Sequence, residues 1–265
     1  MAIPPLLLIG CGRMGTALLR GWDAQGLSQS VVVDPGAAEV PAPHLWVKDA
    51  SLVAASFKPE IVILAVKPQA VDAILPSVVP FARDAVVLSI MAGRSISGLA
   101  SALGPAAAIV RAMPNTPAAI GRGITVACAG PDVRASQREL CERLLAAVGA
   151  TAWVEDEALL DPVTALSGSG PAYVFLLAEL LEAAGIEQGL PPPLARQLAR
   201  LTVSGAGALL DAAPHEDAAS LRRAVTSPGG TTASALDILM GPSAWPASIP
   251  AAIEAATQRS RVLAR

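Results

Sequence analysis

Unbroken aliphatic runs alternate with helically spaced ones through the first part of the chain. Leu6-Leu7-Leu8-Ile9, Val31-Val32-Val33, Ile61–Val66, Ala85–Ile90 and Ala108–Arg111 read as strands apolar on both faces, the signature of a buried parallel sheet. Between them lie an amphipathic stretch carrying Ala17, Leu18 and Trp22, a short helix Ala50–Ser56 with Asp49 at its N-cap, and helices Gln69–Leu75 and Ser97–Leu103. A Pro- and Ala-rich connection, Pro35–Pro43, follows the second strand. Two more short strands, Ile124–Cys128 and Thr151–Val154, flank a helix Ser136–Val148. This alternation predicts a doubly wound α/β sheet of Rossmann type over residues 1–157.

From residue 158 to 265 the period is helical and no strand pattern recurs, so the second domain is expected to be all α. Pro171–Ala184 is apolar nearly all round, with Glu179 and Glu182 its only charges, which predicts burial in a core or between subunits. Leu194–Leu210 carries Leu194, Leu198 and Leu201 on one face and then the small run Ser204-Gly205-Ala206-Gly207-Ala208, which permits close helix approach. Helix Ala233–Met240 stops at Gly241. So much apolar helix predicts a homodimer formed through this half.

Composition narrows the class. With 53% hydrophobic and 15% charged residues the chain can bury a large core, and a net charge of −3 without a basic cluster speaks against nucleic acid. Cys11, Cys128 and Cys141 share no metal or disulfide spacing, which points to a reducing compartment and to no metal site. The N-terminus lacks a basic n-region, and the contiguous apolar run Ala172–Ala178 is too short for a bilayer. A cytoplasmic protein without a membrane partner is expected.

The first strand ends in Gly10-Cys11-Gly12-Arg13-Met14-Gly15 and opens a helix. In a G-x-G-x-x-G of this context the glycines serve the tight turn, the approach to a pyrophosphate and close helix–strand packing, and the helix N-terminus faces the phosphates. Asp34 ends the second strand about 20 residues on, where an acidic residue can meet a ribose hydroxyl; the alternative is an ordinary turn residue. Ligands of such sheets bind beyond the carboxyl ends of the strands, which here carry Ala65-Val66-Lys67-Pro68, Met91-Ala92-Gly93 and Met113-Pro114-Asn115-Thr116-Pro117. Lys67 alone is equally well a solvated strand end, and the prolines shape the Asn115 turn without requiring Asn.

A second loop, Thr226-Ser227-Pro228-Gly229-Gly230-Thr231-Thr232, leads into a helix and makes a nest of N–H and O–H donors suited to a carboxylate; an elaborate N-cap is the plain alternative. A third, Ser167–Tyr173, opens the most apolar helix, where Tyr173 reads as packing. His44 and His215 lie outside every motif and read as surface or capping residues, and all three lysines precede residue 68. Carbinol oxidation needs a base, whereas a protonated imine accepts hydride once it is held in place. A dinucleotide site and a carboxylate nest without a strong base suit imine reduction.

Gly10–Gly15, Ala65–Gln69, Met113–Pro117, Ser167–Tyr173 and Val225–Thr232, in this order and spacing, resemble the pyrroline-5-carboxylate reductase family across nearly the whole chain. The resemblance implies a Rossmann domain, an all-helical dimerisation domain, dimers often assembled into rings, and reduction of 1-pyrroline-5-carboxylate to L-proline by NADPH or NADH. It implies that Gly10, Gly12, Arg13, Met14 and Gly15 hold the pyrophosphate, and that Ala65, Val66, Lys67, Pro68, Met91, Ala92, Gly93 and Asn115 line the nicotinamide side. It further implies that Ser227, Gly229, Gly230, Thr231 and Thr232 clasp the substrate carboxylate, with the Thr232 hydroxyl bonding the ring nitrogen, in a loop that serves the partner subunit.

Two departures bear on the cofactor. Asp34-Pro35 stands where many members have Ser, Thr or Arg, and Asp49 where Asn is frequent near the adenine ribose. Two carboxylates there predict that NADH works at least as well as NADPH. Met91 replaces a commoner Ala, which changes packing rather than role. A β-hydroxyacid dehydrogenase would need a lysine early in the second domain, which this chain lacks, and a non-catalytic dinucleotide sensor would not need the Ser227–Thr232 nest.

Overall fold

The computed structural model describes residues 3–36 and 40–264; residues 37–39, within the Pro35–Pro43 connection, lie outside the described part. Contacts divide the chain into two units, Met1–Gly168 with Ala256–Arg265, and Ser169–Ala255. The first of these units runs through Gly168 and includes the last ten residues of the chain.

The first unit is an α/β fold of Rossmann type. Strands β1 (Leu6–Ile9), β2 (Val31–Val33), β3 (Leu45–Val47), β4 (Ile61–Leu64), β5 (Val86–Ser89), β6 (Ile109–Met113), β7 (Gly123–Ala129) and β8 (Gly149–Val154) form one sheet in the order β3-β2-β1-β4-β5-β6-β7-β8. The first six in chain order run parallel, β7 is antiparallel to β6, and β8 is parallel to β7. Helices α1 (Arg13–Ala24), α2 (Val71–Ala82), α3 (Ile96–Leu103) and α4 (Ala135–Ala146) cover the sheet, and a short α5 (Leu160–Val163) follows β8.

Alternation along β1 explains both layers. Leu6 and Leu8 join a core with Leu18, Leu19 and Trp22 of α1 and Leu140, Leu144 and Leu145 of α4. Leu7 and Ile9 point the other way, onto Val71, Leu75 and Val78 of α2 and Leu99 and Leu103 of α3. Each face of the strand has its own helices, so the strand is apolar throughout.

Several expectations need correction. Strand β3 was hidden because Leu45 and Trp46 sit on an exposed edge and form no buried run. The helix expected over Ala50–Ser56 is one 3-10 turn, Ala50–Leu52, although Asp49 does cap it. His44 is buried rather than superficial: its Nδ1 accepts the Ser30 N–H at 3.2 Å and its Nε2 faces Asp23 Oδ1 at 3.2 Å.

In the second unit, α6 (Gly170–Glu187) and α7 (Pro192–Ala212) pack on each other, closing tightly where a Cβ on Gly185 would meet Ala195 Cβ at 3.3 Å. Helices α8 (Ala218–Ala224) and α9 (Thr231–Leu239) follow, and α10 (Trp245–Leu263) begins in this unit and ends in the first. No residue of α6 is buried, so a core within the chain does not account for its apolar circumference; Phe175 is 68% exposed. Nor, among the described residues, does any atom outside the helix's own turns approach Gly205 or Gly207 within 4 Å of an added Cβ. The helical run Glu157–Glu187 is long and apolar enough to cross a membrane by length and composition alone. The contiguous run Ala172–Ala178 understated it, because small and polar residues at both ends do not interrupt the helix.

Candidate functional site

Parallel pairing places the predicted cofactor residues along one edge of the sheet. Val33, Ile9, Leu64, Ser89 and Arg111 stand side by side in adjacent strands, so the segments that follow them leave the sheet together. Those segments contain Asp34, Gly10–Gly15, Ala65–Pro68, Met91–Gly93 and Asn115, all in the first unit.

The glycine loop is built as its motif requires. Gly10 has φ +95°, and a Cβ there would fall 2.8 Å from the carbonyl carbon and oxygen of Ala65. A Cβ on Gly15 would collide with the Gly10 carbonyl oxygen, which is the close helix–strand approach. Among the described residues, a Cβ on Gly12 would meet no atom within 4 Å. Gly12 offers no side-chain cap, and the first intrahelical bond is Thr16 N–H to Gly12 O at 2.9 Å. The N–H groups of Arg13, Met14 and Gly15 lie in the first turn of α1, before any carbonyl of the helix can accept them, which is where a helix offers donors to an anion.

Asp34 is tied into this loop, its Oδ2 accepting the Cys11 N–H at 2.6 Å and its Oδ1 the Gly36 N–H at 2.8 Å. Burial raises the Cys11 thiol pKa, the Thr16 side chain opposes that, and Asp34 adds to it. The net direction keeps the sulfur protonated, a filler rather than a nucleophile. Asp49 accepts the Ser51 N–H at 2.8 Å, and its hydrogen bonds to Ser51 hold the carboxyl below the usual range.

On the other side, Lys67 is exposed, and Asn115 Oδ1 accepts the Ile124 N–H at 3.0 Å, tying its turn to β7. That bond gives Asn115 a structural reason that turn chemistry alone did not supply.

Sequence reasoning missed three contributors. Arg94 Nη2 donates to the Pro68 carbonyl at 3.0 Å and to Asp72 Oδ2 at 2.6 Å, joining the Ala65–Pro68 and Met91–Gly93 segments; its position directly after Gly93 was the available signal. Trp46 Nε1 donates to the Asp34 carbonyl at 3.1 Å. The end of α10 lies on Gly93 (φ +71°), where a Cβ would fall 2.6 Å from the Leu263 carbonyl oxygen. Pro246 and Pro250 obscured this helix in the sequence, where proline reads as a stop.

The Ser227–Thr232 loop lies in the second unit, largely exposed, and turns at Gly229 (φ +69°) with Gly230 N–H bonded to Ser227 O at 3.0 Å. Gly230 is the N-cap of α9 and supplies no side-chain cap, so the first N–H groups of the helix and the hydroxyls of Thr231 and Thr232 share one end. A carboxylate fits that donor set, as it fits the polarity of the helix.

A glycine-looped parallel sheet followed by a helical domain defines a dinucleotide-dependent oxidoreductase. Residues 6–93 match the family described as NADP oxidoreductase, coenzyme F420-dependent, and residues 157–263 match that described as pyrroline-5-carboxylate reductase dimerisation. The chain is 38% identical to pyrroline-5-carboxylate reductase of Pseudomonas aeruginosa, over all of this chain and 98% of that one. Among solved structures it is similar to a pyrroline-5-carboxylate reductase from Coxiella burnetii (TM-score 0.89, 31% identity, 98% of each chain). It is also similar to the Plasmodium falciparum pyrroline carboxylate reductase with NADP bound (TM-score 0.87, 28% identity, 100% of each chain). The chain belongs to the pyrroline-5-carboxylate reductase family.

Proposed function

We propose that this protein reduces 1-pyrroline-5-carboxylate to L-proline with NADPH or NADH. One observation carries the reading: an open glycine loop and a Ser227–Thr232 loop rich in hydrogen-bond donors and without a titratable side chain occur in one chain of this family. Reduced nicotinamide supplies a hydride when bound. Gly10, Gly12, Arg13, Met14 and Gly15 hold the pyrophosphate on the N-terminus of α1, and Asp34 and Asp49 serve the adenosine end. Ala65, Val66, Lys67, Pro68, Met91, Ala92, Gly93 and Asn115 line the nicotinamide side, at the row of strand ends.

Ser227, Gly229, Gly230, Thr231 and Thr232 bind the substrate carboxylate, and the Thr232 hydroxyl holds the ring nitrogen. The imine is already protonated, so these residues orient it rather than abstract a proton. Domain roles divide at 1–157 for the cofactor and 158–265 for dimerisation and substrate.

The protein acts as a homodimer, supported by the outward apolar side chains of α6 and α7, with each substrate loop serving the partner subunit's cofactor domain. Rings of dimers follow if these faces repeat. The same faces account for the apolar run that could otherwise suggest a bilayer, so we place the protein in the cytoplasm without a membrane partner.

Mixing the protein with NADH or NADPH and pyrroline-5-carboxylate tests this directly. Loss of reduced-nicotinamide absorbance with proline formed is expected. Cofactor binding without turnover would leave a sensor on the same scaffold.

A further inference from the structure

We infer that the adenosine end of the cofactor site is built for a ribose bearing a free 2′-hydroxyl, so that NADH binds more tightly than NADPH. The inference rests on the dinucleotide reading of the Gly10–Gly15 loop and asks what lies beside it.

Asp34 leaves β2 next to Gly10, whose N–H bonds Val33 O at 2.8 Å. An acidic side chain at a strand end can often turn aside and admit a 2′-phosphate. This one is tethered at both oxygens, Oδ2 by the Cys11 N–H at 2.6 Å and Oδ1 by the Gly36 N–H at 2.8 Å. The first tether belongs to the glycine loop itself, so moving the carboxylate away would disturb the segment that receives the pyrophosphate. Each carboxylate oxygen keeps a further lone pair, enough to accept a ribose hydroxyl. A phosphate in that place brings like charge against a carboxylate that must give up two backbone hydrogen bonds to retreat.

The backbone of Asp34 is braced as well. Trp46, one strand out on β3, donates its indole N–H to the Asp34 carbonyl at 3.1 Å. Its 36% exposure leaves indole surface for a planar base beside that ribose. Asp49 adds a second carboxylate just past β3, and Lys48 is the single lysine or arginine between Asp34 and Asp49. The NADP held by the Plasmodium falciparum relative belongs to a chain only 28% identical, and the tether described here is a property of this chain's own residues.

Calorimetric titration of the full-length protein with NADH, NADPH, 5′-ADP and 2′,5′-ADP tests the inference without turnover. The expected result is a Kd for NADPH at least about fivefold above that for NADH, with the two nucleotide fragments ordered in the same sense. A smaller ratio, or a reversed one, overturns the inference. Asp34→Ser should bring the ratio near unity, and persistence of the ratio would show that Asp34 does not set it. The fragment titration on the unaltered protein decides the matter even where Asp34→Ser fails to fold. Trp46→Leu should weaken both dinucleotides alike by about threefold or more, and unchanged affinity removes the indole from the site. Failure of both dinucleotides to bind would instead overturn the underlying dinucleotide reading.

Discussion

The Ser260 hydroxyl donates a 2.7 Å hydrogen bond to the Asp161 carboxylate, and both residues are buried. This bond fastens the last turns of α10 within the first unit, three residues before Leu263 lays its carbonyl against Gly93. Gly93→Ala meets two penalties, a left-handed φ costing about 1–2 kcal/mol and a collision with backbone. We expect a lowered denaturation midpoint together with weaker NADH binding. Ser260→Ala removes this bond to a buried carboxylate at a cost of about 1–3 kcal/mol, read by the same denaturation curve. Unaltered midpoints in both variants would show that this C-terminal segment does not pack there.

Arg94 separates positioning from stability. Its partner Asp72 has a side chain 69% exposed, so the ion pair itself is worth about 0–1 kcal/mol. Its hydrogen bond to the Pro68 carbonyl, however, shapes the nicotinamide side. Arg94→Ala should therefore shift the melting temperature little while raising the Kd for NADH severalfold. Affinity equal to that of the unaltered protein would refute the bridging role.

For the substrate loop, Thr232→Ala and Ser227→Ala should each raise KM for pyrroline-5-carboxylate about tenfold, the loss of one hydrogen bond to a charged group. Dinucleotide Kd should stay within about twofold, because the cofactor contacts lie elsewhere. A cofactor Kd that rises in parallel with KM would contradict the division of labour.

Arg111 on β6 is buried, and its Nη1 donates to Glu157 Oε1 at 2.8 Å, while the same oxygen takes the Ile96 N–H at 2.9 Å. Two further guanidinium nitrogens of Arg111, Nε and Nη2, have no hydrogen-bond partner among the described residues. Removing Glu157 would leave a buried cation uncompensated. The Glu157 side chain is 28% exposed, so Glu157→Ala should fall at the lower end of about 3–5 kcal/mol. Arg111→Met should cost less, since it removes the charge rather than orphaning it. Guanidinium denaturation of the two variants supplies the comparison, and equal costs would argue against this account.

Burial pushes the Cys141 thiol up from an ordinary 9.0 to about 12. A raised folded-state pKa contributes stability that is complete below the unfolded value and disappears as pH climbs through the folded one. Stability should thus decline between about pH 9 and pH 12, and Cys141→Ala should flatten that decline even if it lowers the plateau. Identical alkaline profiles would exclude Cys141 as their source.

Much of the first unit was legible because its strands are apolar on both faces and its loops carry residues with one good physical use. Gly10 and Gly15 are the clearest: their spacing announced a turn and a close helix–strand contact, and the backbone supplies both surroundings. What local pattern could not display was pairing. Leu45 and Trp46 look like a loop until β2 gives them a neighbour, and Asp49 looks like a helix cap whatever lies beside it. Likewise the bond from the Ile124 N–H to Asn115, or from Arg94 to the Pro68 carbonyl, joins segments whose proximity no periodicity encodes.

Residue order alone determined the class of protein: alternating buried strands and helices, a phosphate-binding turn, and helices too apolar to stand alone. Those features depend on the preferences of neighbouring residues, which sequence states directly. Tertiary structure decided that Asp34 is tied to the glycine loop, that the end of α10 rests on Gly93, and that α6 keeps its apolar sides outward. Each depends on hydrogen bonds or packing between distant segments, and such contacts exist only once the chain has closed on itself.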